Sequence, residues 1–312
     1  TSTAEKNNYR CPVCGDELKQ DNAGRGYVAH VLNPHCQFEK GKKDQVGATS
    51  VGRKTCPPIL SDHEPTDGIR ICGYSERGIF NALLYEIGFS ADPIGTLAGL
   101  LTLICVSDST RDFSDLCGAE VLVEQSLSDF GDADAILLLH GSDWRSAIFI
   151  EGKVKRSQVG SWTVRNVWRK FLARKNGRLD SSNLFTQLYH KVRFVAALCE
   201  GGITDVEKGV PFPECSTKTP RTIGNNPVVR RAAQMIEEYA RESLYIAVVP
   251  DSVENLSGFY DRELKVGPAH DIAGWNIDGW GYLAWEKVEE YCQEQSLVNT
   301  LRVFDFNRGQ IY

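Results

Sequence analysis

Two short apolar runs that sit close together and end in charge constrain this chain most. Ala135–Leu139 and Ala147–Ile150 are separated by a polar stretch holding Gly141, Ser142 and Asp143. Runs of this length bounded by turn residues read as two buried strands joined by a turn. Asp134 opens the first strand, and Glu151-Gly152-Lys153 closes the second. Residues two apart on a strand share a face, so Glu151 and Lys153 project together and Gly152 projects away. Paired as a hairpin, the strands bring Asp134 alongside. Two carboxylates and an ammonium at one sheet end suit a hard divalent cation and the activation of a water.

Asp134, sixteen intervening residues and Glu151-Gly152-Lys153 resemble the signature of the PD-(D/E)xK nuclease superfamily. The matching core covers about a tenth of the chain, and short motifs of this kind depend on their structural context. Where that family often carries proline before the first acid, this chain has Ala133, and Asp132 offers a second acid. The resemblance implies an α/β fold with a restriction-endonuclease-like mixed central sheet flanked by helices. It also implies a Mg2+-dependent endonuclease acting on DNA, taken as double-stranded, with a restriction or other defence role. Asp134, Glu151 and the Gly152 carbonyl would hold Mg2+, and Lys153 would orient the water or stabilise the transition state. A helix packed on the hairpin often lends a Gln or Lys in this family. Here Gln187 is the first choice and Lys191 the second. A preceding helix often lends an acid, for which Glu76 and Glu86 are candidates, and Glu124 near the end of another strand is a third.

The net charge is −6, mildly unusual for a nucleic-acid binder. Local charge differs. From Lys153 to Arg178 there are nine Lys or Arg and no Asp or Glu. Lys155, Arg156, Arg165 and Arg169 are the residues expected to hold a phosphate backbone. Arg165 and Arg169 lie four apart on a helix expected over Trp162–Lys175, where like charges repel unless an anion relieves them.

Residues 1–45 read as a separate zinc module. Cys11 and Cys14 form a Cys-x-x-Cys knuckle, followed by His30, His35 and Cys36. Two thiolates and two imidazoles complete a tetrahedral zinc site. His35 and Cys36 are alternatives for the fourth ligand. With Tyr9, Leu18 and Tyr27 at the positions of a small core, the segment resembles a two-Cys, two-His zinc finger. The loop between the Cys pair and His30 is fifteen residues, against about twelve in that class. Its helix would fall at Asp21–Tyr27, which contains two glycines.

Residues 46–70 lack periodicity and read as a linker, leaving 71–312 as the nuclease-like domain. Elements expected there include helices over Glu76–Ile87, capped by Ser75, over Asn183–Leu198, Val228–Arg241 and Ala284–Cys292. Strands are expected over Ala119–Gln125, Ser243–Val249 and Leu301–Phe306. Trp275, Trp280 and Trp285 suit core anchors better than base-stacking platforms. Cys105, Cys117, Cys199 and Cys292 are expected to be buried, reduced thiols.

The longest apolar run, Ile94–Val106, is interrupted by Gly95 and Gly99, so no membrane span is expected. With no signal pattern at the start, a cytoplasmic location is expected. Concerted cleavage of both strands would favour a homodimer. The competing function is a non-catalytic nucleic-acid-binding protein that uses the finger and the basic helix.

Overall fold

The computed structural model describes strand residues 18–20 and 27–30 and residues 72–106, 112–154, 162–173, 181–212, 219–264, 279–308 and 311. The chain divides into two compact units, Thr1–Arg70 and Ile71–Tyr312.

In the first unit, strands β1 (Leu18–Gln20) and β2 (Tyr27–His30) pair antiparallel. Leu18 lies opposite His30, and the register shifts between Lys19 and Gln20. Tyr27 therefore opens a strand rather than closing a helix, in keeping with the β preference of Tyr-Val. Of the expected zinc ligands, His30 ends β2, while Cys11, Cys14, His35 and Cys36 lie outside the described residues.

The second unit is a mixed α/β sheet structure. Its elements in chain order begin with helices α1 (Ser75–Gly88) and α2 (Pro93–Leu101), then strands β3 (Cys105–Val106), β4 (Gly118–Ser126), β5 (Asp132–His140) and β6 (Arg145–Gly152). Helices α3 (Val164–Ala173), α4 (Leu184–Lys208) and α5 (Pro227–Glu237) follow, then β7 (Leu244–Val249), α6 (Val253–Phe259), β8 (Trp280–Ala284), α7 (Trp285–Glu294) and α8 (Val298–Phe306). The six strands lie in the order β3-β8-β7-β6-β5-β4. β4, β5 and β6 are successively antiparallel, whereas β6–β7 and β7–β8 are parallel. Parallel neighbours need a long crossover, and α3, α4 and α5 supply it between β6 and β7.

Both faces of the sheet are covered, which is why β5, β6 and β7 read as near-continuous apolar runs. On one face Ile136, Leu138, Ala147, Phe149, Tyr245 and Ala247 pack with α3, α4, α5 and α6. On the other, Leu137, Leu139, Ile148, Ile150, Ile246 and Val248 pack with α1, α2, α7 and α8. Trp280 stacks on Phe185 at 5.1 Å, and Trp285 meets Phe80 at 5.0 Å. Both indoles are buried core anchors, and Trp275 lies outside the described residues. Among the described residues, no helix is long and apolar enough to cross a membrane.

Several local expectations are corrected. Leu301–Phe306 is helical, within α8, not a strand. Its buried residues Thr300, Val303 and Phe304 follow helical spacing, and Glu86 accepts from the Asn299 and Thr300 backbone N–H at the start of that helix. Ser75 is not a side-chain cap. It sits at φ +66° and donates its own N–H to Asn307 Oδ1 at 2.7 Å. Cys105, Cys117 and Cys199 are exposed, and Cys292 alone of the four is buried.

Asn307 is fully buried and ties α8 to the start of α1. Besides accepting from Ser75, its Nδ2 donates to the carbonyls of Gly73 and Val303, both at 2.8 Å. An Asn307→Ala substitution strands the Ser75 N–H and the Gly73 carbonyl, each worth about 1–3 kcal/mol when buried and unpaired, while the Val303 carbonyl keeps the backbone N–H of residue 307. Urea unfolding is expected to show a loss of roughly 2–4 kcal/mol; a loss under about 0.5 kcal/mol, the range of an ordinary surface change, would mean this tie does not anchor α1.

Candidate active site

The β5–β6 ladder places Ala135 opposite Ile150. One step further along both strands are Asp134 and Glu151, neighbours at the end of the sheet. By strand alternation they share the face covered by α4. Asp134 Oδ2 accepts from the Gly152 backbone N–H at 2.7 Å. Both acids are buried, Glu151 almost completely, with 1 % exposure.

The charge of Glu151 is met by α4. Lys191 is fully buried, and its Nζ lies 2.8 Å from Glu151 Oε1. The same ammonium donates to the Asp132 carbonyl at 2.9 Å. The long helix is capped by Asn183, whose side chain accepts from the Phe185 and Thr186 N–H groups. Its apolar residues Phe185, Leu188 and Tyr189 lock it against the sheet.

From the opposite face, α1 lies directly on Gly152. A Cβ added at Gly152 would come within 2.7 Å of the Phe80 ring and 2.8 Å of Glu76 Cβ. Glycine between Glu151 and Lys153 is thus a packing requirement, and it brings Glu76 up to the acids. Lys153 is pinned through its backbone. Its N–H donates to Val248 at 2.8 Å, and its carbonyl accepts from the Trp285 indole at 2.8 Å. Its side chain is partly exposed, and its charge acts on Asp134.

The electrostatics follow from this crowding. The Asp134 carboxyl is pushed up to about 7, first by burial and then by the negative charge of Glu151. Lys153 and the Gly152 N–H oppose the rise, and Glu76 adds to it. Without a cation between them, two adjacent buried carboxylates do not both ionise readily.

The remaining candidates are placed as follows. Asp132 presents its carbonyl to Lys191 while the residue is exposed. Glu86 binds the start of α8. Glu124, at φ +49° in β4, pairs with Arg77 at 3.7 Å and accepts from Asn81 at 3.1 Å. Gln187 lies one turn before Lys191, its Oε1 buried with no hydrogen-bond partner. Arg165 is ion-paired to Glu263, and Arg169 is exposed on α3. Lys155 and Arg156 lie outside the described residues.

Among the described residues, no three His, Cys, Asp or Glu side chains gather to hold a metal ion. The donor set at Asp134 and Glu151 is two carboxylates beside the Gly152 main chain. That set fits Mg2+, which keeps several waters and takes one or two carboxylates, better than a metal needing a full protein cage. The crowding of the two acids is the observation behind that fit. Comparison with protein-family models, curated proteins and solved structures gave no match.

The raised Asp134 pKa links site to stability. An unfolded aspartate titrates near 3.9, so between about pH 4 and 7 the folded chain holds a proton that the unfolded chain has lost. Stability of the metal-free protein should therefore fall as pH rises through that window and level off above it. The fall attributable to this group is expected to be on the order of 2–4 kcal/mol. Urea unfolding of wild type and Asp134→Asn at pH 5 and pH 8 checks this. The variant should lose that part of the slope, and equal slopes would contradict the assignment.

Proposed function

We propose that the chain is a Mg2+-dependent endodeoxyribonuclease with a restriction-endonuclease-like core and an N-terminal zinc module. The observation that carries the reading is the adjacency of buried Asp134 and Glu151 at one sheet end, with Lys153 beside them. The order of elements supports it. A helix, α1, precedes three antiparallel strands, β4, β5 and β6, and a parallel strand, β7, adds to β6 after a helical crossover. This fits the mixed central sheet flanked by helices that the resemblance to PD-(D/E)xK nucleases implies.

In the proposed reaction, Asp134, Glu151 and the Gly152 carbonyl would hold Mg2+. When bound, the ion lowers the pKa of a water and neutralises charge on the phosphoryl oxygens. Lys153, fixed by its backbone, presents a compact ammonium that orients the water or balances negative charge on the pentavalent phosphorus. Arg169 and Lys170, exposed on α3, and Lys155 and Arg156 just beyond β6 would hold the DNA backbone. Arg165 contributes only if the DNA displaces Glu263. The zinc module would use Cys11, Cys14, His30 and either His35 or Cys36, and would help engage DNA or a protein.

A second reading is a non-catalytic nucleic-acid-binding protein. What favours it is the Glu151–Lys191 ion pair, since a buried pair can serve structure alone. Cleavage separates the two. Plasmid, linear duplex and single-stranded DNA are incubated with Mg2+, with EDTA, and with the Glu151→Ala and Lys153→Ala variants. The nuclease reading expects Mg2+-dependent products and a loss of roughly 100-fold or more in either variant, with circular dichroism unchanged for Lys153→Ala. Full cleavage by both variants would remove the site. Salt-sensitive binding without cleavage would favour the second reading.

A further inference from the structure

We propose that Lys191 is the resident counter-ion of the two-carboxylate centre, fixing Glu151 and setting how tightly a divalent cation is held there. The inference rests on the metal-dependent reading above. Its basis is geometric. Lys191 is a fully buried lysine on α4 whose Nζ reaches Glu151 Oε1 at 2.8 Å and the Asp132 carbonyl at 2.9 Å. The backbone turn before β5 also closes on this ammonium. Gly131 is at φ +81°, and a Cβ there would stand 3.4 Å from Nζ. One side chain thus bridges the carboxylate at the end of β6 and the backbone that launches β5, the strand bearing Asp134.

Such an arrangement has a cost that a purely structural tie does not need. Burying a charged pair is often no better for stability than apolar packing of the same volume. Two carboxylates alone would present two negative charges to a divalent cation. Lys191 cancels one of them at 2.8 Å, within a poorly solvated interior where such interactions are strong. The expected result is a site that binds free metal weakly. Metal would then be held best when the phosphate of a bound nucleic acid adds its own negative charge. Lys191 touches no reacting atom in this arrangement. It is a positioning residue that acts through Glu151.

The test is Mn2+ affinity of the full chain, measured by calorimetry on wild type, Lys191→Gln and Lys191→Arg. Binding that persists in Glu151→Gln, such as at the zinc module, is subtracted. Gln keeps hydrogen-bond donors but removes the charge, and Arg keeps the charge. Lys191→Gln is expected to bind Mn2+ about tenfold tighter or more, with Lys191→Arg within about twofold of wild type. Affinity unchanged or weaker in Lys191→Gln overturns the inference, and Mg2+-dependent cleavage by wild type would leave the nuclease reading standing. Absence of any Glu151-dependent Mn2+ binding in all three proteins, with no cleavage by wild type, overturns both. Should Lys191→Gln be unfolded without metal, the inference requires millimolar Mn2+ to restore its thermal transition. Failure to restore it overturns the inference.

Discussion

Two carboxylates held side by side where water is scarce are the constraint on which the rest of the site depends. The β5–β6 register leaves Asp134 and Glu151 adjacent, and a one-residue slip of either strand would exchange the side chains of its two packed faces and part the two acids. Like charges in that position repel, and the surroundings answer in three ways. Burial and Glu151 together push the Asp134 carboxyl up to about 7. Glu151 is met by Lys191 from α4. Lys153 and the Gly152 N–H lean on Asp134 from the end of β6. The site carries opposed charges at close range, and a divalent cation would rearrange that balance.

The scaffold explains why these groups stay where they are. Acids at the end of a sheet buried on both faces have little room to move, because α4 covers one face and α1 lies on Gly152 from the other. α1 is itself held at its start by Asn307, and the Lys153 carbonyl is held by Trp285. Residues near the end of the chain therefore help fix polar groups that the sequence places in its middle. Such a division between a rigid frame and a few converging polar groups is what catalysis by positioning and electrostatics requires.

Much of the frame was legible in the sequence because its strongest signals are periodic. The β5–β6 hairpin followed from two apolar runs around Gly141, and β7 (Leu244–Val249) from the run Ser243–Val249. The α1 and α3 helices and the first part of α4 followed from apolar stripes, whereas α4 continues beyond the expected end at Leu198 to Lys208, past a break at Gly202. Where signals were short, they misled. The six residues Leu301–Phe306 fit a strand as readily as a helix, and only the packing of Val303 and Phe304 decides. β8 was hidden because Trp280-Gly281-Tyr282 sits in a Gly-rich stretch that looks irregular. In the site, Asp134, Glu151 and Lys153 came from one contiguous pattern. Lys191 ranked behind Gln187, since both lie on one face of α4, and only the depth of burial and the reach to Glu151 separate them. Glu76, Glu86 and Glu124 were indistinguishable as helix or strand acids, yet the fold sends Glu76 alone of the three to the Asp134 side.

The nuclease reading requires that Asp134 and Glu151 form a divalent-cation centre. Crystals of the protein soaked in Mn2+ test it most directly through anomalous scattering. A bound ion there gives a peak roughly 2.0–2.2 Å from carboxylate oxygens of both residues, with waters completing an octahedron. An empty centre at saturating Mn2+, with Lys191 still seated on Glu151, would contradict it.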